Sequence, residues 1–242
     1  MSMHNAEDSP DFPSVDVSRT FYTLIPSRFP TIDVFARIAN DRSLEIAEIE
    51  SITNPRLKER KRLLSGAGVV DTHDPLIQNW NHAPFTYSNP DGTRFFGPEQ
   101  PALELSQDIQ TALAVSIGKR EAFLARTREE QIALEMRVLT RVVKGRFADG
   151  TAWDPTLGQE ERRRLGRAVT DAGYDGILFR PVERLSGVCI SILRGATLDR
   201  AVQGDHFKFV WDGTHVSTLY SFSSGQAYAP EELRGEKIVL AA

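Results

Sequence analysis

Two short runs concentrate side chains suited to binding or reaction: Trp80-Asn81-His82-Ala83-Pro84-Phe85-Thr86-Tyr87 and Pro90-Asp91-Gly92-Thr93-Arg94-Phe95-Phe96-Gly97. Aromatic faces stack on planar rings, and a guanidinium fork matches a diphosphate, so the pattern suits an aromatic-lined cleft for a dinucleotide. The same residues also fit a hydrophobic plug beneath a long loop, with Arg94 in an ordinary salt bridge. Both readings stay open on these residues alone. Elsewhere the usual signatures are absent. The chain has no Gly-x-x-x-x-Gly-Lys, Gly-x-Gly-x-x-Gly, Gly-x-Ser-x-Gly or His-Glu-x-x-His, and its five histidines have no metal-ligand spacing. The single cysteine, Cys189, excludes an internal disulfide and a cysteine-rich zinc site. Its apolar run, Val188 to Leu193, predicts a buried, inert thiol.

The elements that must position these groups read as follows. Residues 1–17 form a polar, acidic tail with Pro10 and Pro13, expected to be flexible. Phe21 to Ile25 predicts a strand closed by Pro26. From Ile32 to Ile52 the apolar residues suit a 3.6 period, hence one or two amphipathic helices. Residues 53–93 are rich in turn formers and read as a long loop. Ser106 or Asp108 is placed to cap a helix through Ile109, Leu113 and Ile117. Alternation from Ile132 to Val138 predicts a half-buried strand. Thr156 or Gly158 leads into a charged helix ending near Gly173. Gly176–Phe179, Val188–Leu193, Phe207–Trp211 and Val216–Phe222 read as strands. Residues 223–242 form an extension, either docked or loose. Helices come first and short strands follow, which favours one α+β domain over residues 18–222 rather than a βαβ array.

The totals narrow the function classes. With Lys+Arg 29 against Asp+Glu 33 the net charge is −4, which offers no basic field, so direct nucleic-acid binding is not expected. The cluster Arg162-Arg163-Arg164 is expected to lie on a solvated helix face. The first residues lack a signal-peptide pattern, and no stretch approaches the roughly 20 apolar residues of a membrane span. The expected location is the cytoplasm, with export by a route that leaves no signal still open.

Several ordered blocks give the chain a resemblance. Phe85-Thr86-Tyr87-x-Asn89-Pro90-x-Gly92-Thr93-Arg94-Phe95 is similar to the stretch that presents the catalytic arginine of RES-domain proteins. Leu24 to Pro30 resembles that family's opening strand, and Ile52-Thr53-Asn54-Pro55-Arg56-Leu57 its Thr-Asn-Pro-Arg block. Thr111-Ala112-Leu113-Ala114, extended by Arg120 to Leu124, resembles its catalytic helix. Glu135-Met136-Arg137-Val138, Gly173-Tyr174-Asp175-Gly176-Ile177 and Val210-Trp211-Asp212-Gly213 continue the series to residue 213.

The resemblance implies an ADP-ribosyltransferase-like α+β fold, mixed and antiparallel sheets with flanking helices. It implies NAD as substrate or ligand, no metal, a small helix-turn-helix antitoxin as partner, and a homodimer. It assigns Arg28, Tyr87, Arg94 and Phe95 to the cofactor, and Arg94 with Glu104 to catalysis. Active members are understood to use an arginine, a tyrosine, a glutamate and a serine. By position these fall on Arg94, Glu104, Val115 and Pro181, with Glu183 where a further arginine stands. Valine cannot stabilise a developing oxocarbenium ion, and proline has neither hydroxyl nor N–H. Glu104 is placed either to salt-bridge Arg94 or to act as a relocated acid. Two functions follow as alternatives. One is a rewired enzyme, a glycohydrolase, phosphorylase or ADP-ribosyltransferase acting on NAD. The other is a degenerate protein binding a nucleotide or a protein partner without turnover.

Overall fold

The computed structural model describes residues 12–27, 79–86 and 89–240. Its elements are β1 (Ser14–Pro26), α1 (Asn79–Thr86), β2 (Leu103–Ser106), α2 (Ile109–Thr127), β3 (Ile132–Gly150), α3 (Gln159–Asp171), β4 (Gly176–Phe179), β5 (Cys189–Ile192), β6 (Val202–Trp211), β7 (Val216–Ser221), β8 (Ala227–Tyr228) and α4 (Pro230–Arg234). The expected α+β class holds. The helical pattern expected over 32–52 lies outside the described residues.

Two long antiparallel strands organise the molecule. β1 pairs with β3 from Ser14↔Ala148 to Pro26↔Met136. β1 also meets β2 at Tyr22↔Ser106, β2 pairs with β5, β5 with β4, and β4 runs parallel to the end of β3. These pairings close a circuit, β1–β2–β5–β4–β3 and back to β1. The first half of β3 also pairs with β6, which carries the same sheet on through β7 and β8, all antiparallel. β3 thus serves both parts.

Strand alternation decides what each face holds. Inside the closed circuit, Phe21, Leu105, Val143, Phe147, Leu178, Ile190 and Ile192 form an apolar core to which all five strands contribute. A second core lies between α2 and the outer sheet, from Leu113, Ile117 and Leu124 to Phe207, Phe209 and Trp211. A third, with Phe95, Phe96, Val169, Ile177 and Phe179, packs α3 against the outer face of β4.

Several expectations change. β1 begins at Ser14, inside the segment read as tail, because its main chain runs in register with β3. β3 runs twelve residues beyond Val138, to Gly150. It is covered on both faces, so its pattern ceases to alternate. Trp80 to Thr86 is part of a short helix rather than a loop; Pro84 inside it is what makes the sequence read as irregular. Residues 223–240 are docked: the Gln110 amide donates to the Leu233 and Lys237 carbonyls and accepts from Val239 N–H. Asp108, one of the two expected caps, fills the N-cap of α2 and accepts from Thr111 N at 2.8 Å.

Candidate functional site

β2 is four residues long and half of it faces away from the closed core. Leu105 points into the core, so Glu104 and Ser106 point out. They face a cavity of about 1150 Å³ whose walls are β1, β2, α2, the 89–94 turn, Phe179 of β4 and the loop after it. Arg94, Glu104, Val115 and Pro181 all line this one cavity. The four positions that the resemblance assigns to catalysis, spread over nearly ninety residues of sequence, are therefore brought together.

The turn that presents Arg94 is tightly built. Gly92 has φ +69, and a Cβ there would sit 2.3 Å from the Phe96 carbonyl oxygen, so only glycine fits. Asn89 closes the turn: its carbonyl accepts from Gly92 N–H, and its side-chain amide donates to the Gly92 carbonyl at 2.6 Å. Helix α3 clamps it from behind. Arg163 donates to the Thr93 and Asp91 carbonyls, and Arg162 Nε donates to the Arg94 carbonyl. This corrects the expectation of a solvated basic face. Arg162 and Arg163 turn inward to satisfy loop carbonyls, and Arg164, paired with Glu161, is the one of the three left on the solvent side. Gly166 permits this approach, since a Cβ would lie 2.3 Å from the Phe95 carbonyl oxygen.

The charges pair differently from expectation. Glu104 does not bridge the Arg94 guanidinium. Its Oε1 accepts the Arg94 main-chain N–H at 2.8 Å, and its Oε2 takes the Lys119 ammonium at 2.7 Å. The Arg94 guanidinium instead meets Glu183, with Nη2 at 3.0 and 3.3 Å from the two carboxylate oxygens, and lies 5.4 Å from the Phe179 ring centroid. Geometry explains the exchange: Lys119 is one turn beyond Val115 on α2, directly over β2. Burial pushes the Glu104 carboxyl up, but the Lys119 ammonium and the two hydrogen bonds outweigh it and hold its pKa below the ordinary range. Burial likewise opposes the Lys119 charge, yet Glu104 raises its pKa overall. The pair is ionised at neutral pH.

The loop after β4 is fixed by Arg184, whose Nη1 donates to Asp108 and to Thr111 Oγ1 at 2.8 Å, while its Nε donates to the Gly235 carbonyl. That anchor holds its neighbour Glu183 against α2. Gly118 makes the space, for a Cβ there would lie 3.2 Å from Glu183 Cγ. Cys189 is buried beneath the cavity floor and shares a 3.3 Å hydrogen bond with Ser106; burial pushes its thiol up to about 12. The expectation of an inert thiol agrees with this.

The aromatic residues divide between the two readings left open. Phe95 and Phe96 form the plug. Phe95 is buried behind Arg94, with ring centroids 5.1 Å from Phe179 and 5.8 Å from Trp153. It is not among the lining residues, although it was expected at the cofactor. Trp80 lies under the Arg137 guanidinium, and Phe85 packs against the closed core. Among the described residues, the rings that face the cavity are Tyr22, Phe123 and Phe179. Arg28 and Tyr87, also expected at the cofactor, lie outside the described residues. Sequence reading did not single out Lys119, Arg120 or Arg162 for the site. The available signal was helical spacing, which puts Lys119 and Arg120 one turn beyond Val115 and Ser116.

The chain is similar to several known proteins. The family model described as "RES domain" matches residues 71–212. An uncharacterized protein, y4oC, of Sinorhizobium fredii is 48% identical over 223 residues, covering 91% of this chain and 96% of that protein. Among solved structures, the M. tuberculosis MbcT–MbcA toxin–antitoxin complex superposes with a TM-score of 0.43 at 12% identity, over 91% of each chain.

Proposed function

The chain belongs to the RES-domain family, and from that premise we propose that its cleft binds NAD as a ligand, with the family's ordinary turnover lost. One observation carries the reading: Arg94, Glu104, Val115 and Pro181 line a single cavity, and only the first keeps the family's residue type. At about 1150 Å³ the cavity has room for a dinucleotide and is somewhat larger than the typical small-molecule site. Its basic lining residues, Arg94, Lys119, Arg120, Arg126 and Arg162, outnumber the acids Asp91 and Glu104, in a chain whose net charge is −4. A diphosphate suits such a lining.

Loss of turnover follows from what the same walls lack. Val115 offers no acceptor for a ribose hydroxyl and no charge for an oxocarbenium ion. Pro181 supplies no hydroxyl. The remaining acid, Glu104, is committed through one oxygen to the Arg94 N–H and through the other to Lys119. Held ionised, it is a poor proton donor, and its charge is already neutralised by an ammonium.

The test is to titrate the purified protein with NAD by calorimetry while following nicotinamide release, with and without phosphate. Saturable binding without release is the expected result. Release that vanishes in Arg94→Ala would establish the rewired enzyme, with Glu104 as its relocated acid. The proposal extends to the partner the family leads one to expect, a small helix-turn-helix antitoxin. Co-expression with a helix-turn-helix protein encoded beside it, followed by affinity purification, tests that part: co-elution supports it, and separation removes it.

A further inference from the structure

The cavity holds five basic side chains, and four are already committed. Arg94 faces Glu183, Lys119 faces Glu104, and Arg126 faces Asp91. Arg162 spends its donors on the Arg94 and Leu157 carbonyls. Arg120 is the exception. Its Nε is buried and unsatisfied, and no acid pairs with it among the described residues. The neighbouring Glu121 is no source of compensation, since its two oxygens take Val216 N–H and Arg234. Burial alone presses on the Arg120 charge and lowers its pKa. A second orphan lines the same cavity: Thr93 Oγ1 is buried without a hydrogen-bond partner.

An unpaired, partly buried guanidinium is costly, because desolvation weakens it and nothing returns the loss. Proteins keep such groups where a ligand completes them. Arg94 is a poorer candidate for that task here, because its Nη2 is already held by the Glu183 carboxylate. We propose that Arg120, on the cavity face of α2, is the residue that receives the ligand's phosphate group, in place of Arg94. Ser116, one turn before it, and Phe123, nearly one turn after it, line the same wall. A hydroxyl and a half-exposed ring therefore flank the guanidinium along one helix face.

This inference rests on the nucleotide reading above for the ligand's identity, but the phosphate chemistry is shared by a nucleotide diphosphate and by free inorganic phosphate. Calorimetric titrations at low ionic strength with NAD, ADP, inorganic phosphate and adenosine separate the sources. The wild-type protein is expected to bind at least one phosphate-bearing compound. Arg120→Gln is expected to weaken that compound roughly tenfold or more, the scale of a charge-assisted hydrogen bond. Arg120→Lys should restore part of the loss, and Arg94→Gln should weaken binding less than Arg120→Gln. Circular dichroism and thermal melting verify that each variant folds.

Inorganic phosphate or ADP binding that depends on Arg120, with no binding of NAD, supports the phosphate site and overturns the NAD reading. NAD binding unchanged in Arg120→Gln overturns the phosphate site and leaves the NAD reading standing. Absence of binding by every phosphate compound overturns both.

Discussion

The two faces of β2 and β5 are made from the same few residues and have opposite characters. Inward, Leu105, Ile190 and Ile192 complete an apolar core with Phe21, Val143 and Phe147. Outward, Glu104, Ser106 and Cys189 meet a cavity whose charges are paired across long sequence separations, and two groups, Thr93 Oγ1 and Arg120 Nε, have no partner. The difference teaches where each kind of energy lies. The inner face stabilises the fold, and the outer face spends some of that stability on holding charge at a cleft.

Mutations that strike one face alone will sharpen or break this contrast. The largest effect is expected inside. Phe147→Ala, at a fully buried ring in the closed core, should destabilise the protein by about 3–5 kcal/mol, read from urea unfolding. If it costs no more than a surface substitution, the circuit is not the core of the fold.

Glu104→Gln should have a smaller effect, about 1 kcal/mol, because its partner Lys119 is half exposed and solvent screens the pair. Its signature is pH dependence. The folded carboxyl titrates below its unfolded value, so its contribution is complete above the ordinary carboxylate range and disappears as pH falls through the folded value. Wild type and Glu104→Gln should therefore differ most near neutral pH and converge in acid. Unfolding curves between pH 7 and pH 3 that stay parallel would show that Glu104 carries no such charge.

Smallest is Glu183→Gln. It removes the internal anion from Arg94 without emptying a core, so stability should change little. ADP affinity should rise by roughly 3- to 10-fold, measured by calorimetry. A loss of affinity would mean that Glu183 organises the cleft instead of competing for it.

Much of the frame was legible in the sequence, because local signals suffice for short elements. Gly176–Phe179 matches the strand read from its apolar run, and Asp108 caps α2 as its position suggests. The closure of β1 on both β2 and β3 was not legible, since register between distant strands leaves no local mark. Nor was the full length of β3, where burial on both faces removes the alternation that announces a strand. In the site, ordered blocks pointed to four positions that line one cavity. They did not reveal which cation meets which acid: Arg94 and Glu183 are 89 residues apart, and only packing decides that contact. The aromatic residues around Arg94 misled for a related reason. Phe95 follows Arg94 at a bend and packs on Phe179 and Trp153, and so it supports the cleft from behind.

Arg184 gathers three remote stretches at one guanidinium: the start of α2, the loop bearing Glu183, and the Gly235 carbonyl. The C-terminal segment thereby acts as a tether on the cleft. A fusion or cut placed ahead of Gly235 would release a donor from its acceptor next to Glu183, and so loosen the wall that faces Arg94. For anyone handling this protein, the segment around Gly235 has a mechanical line to the site.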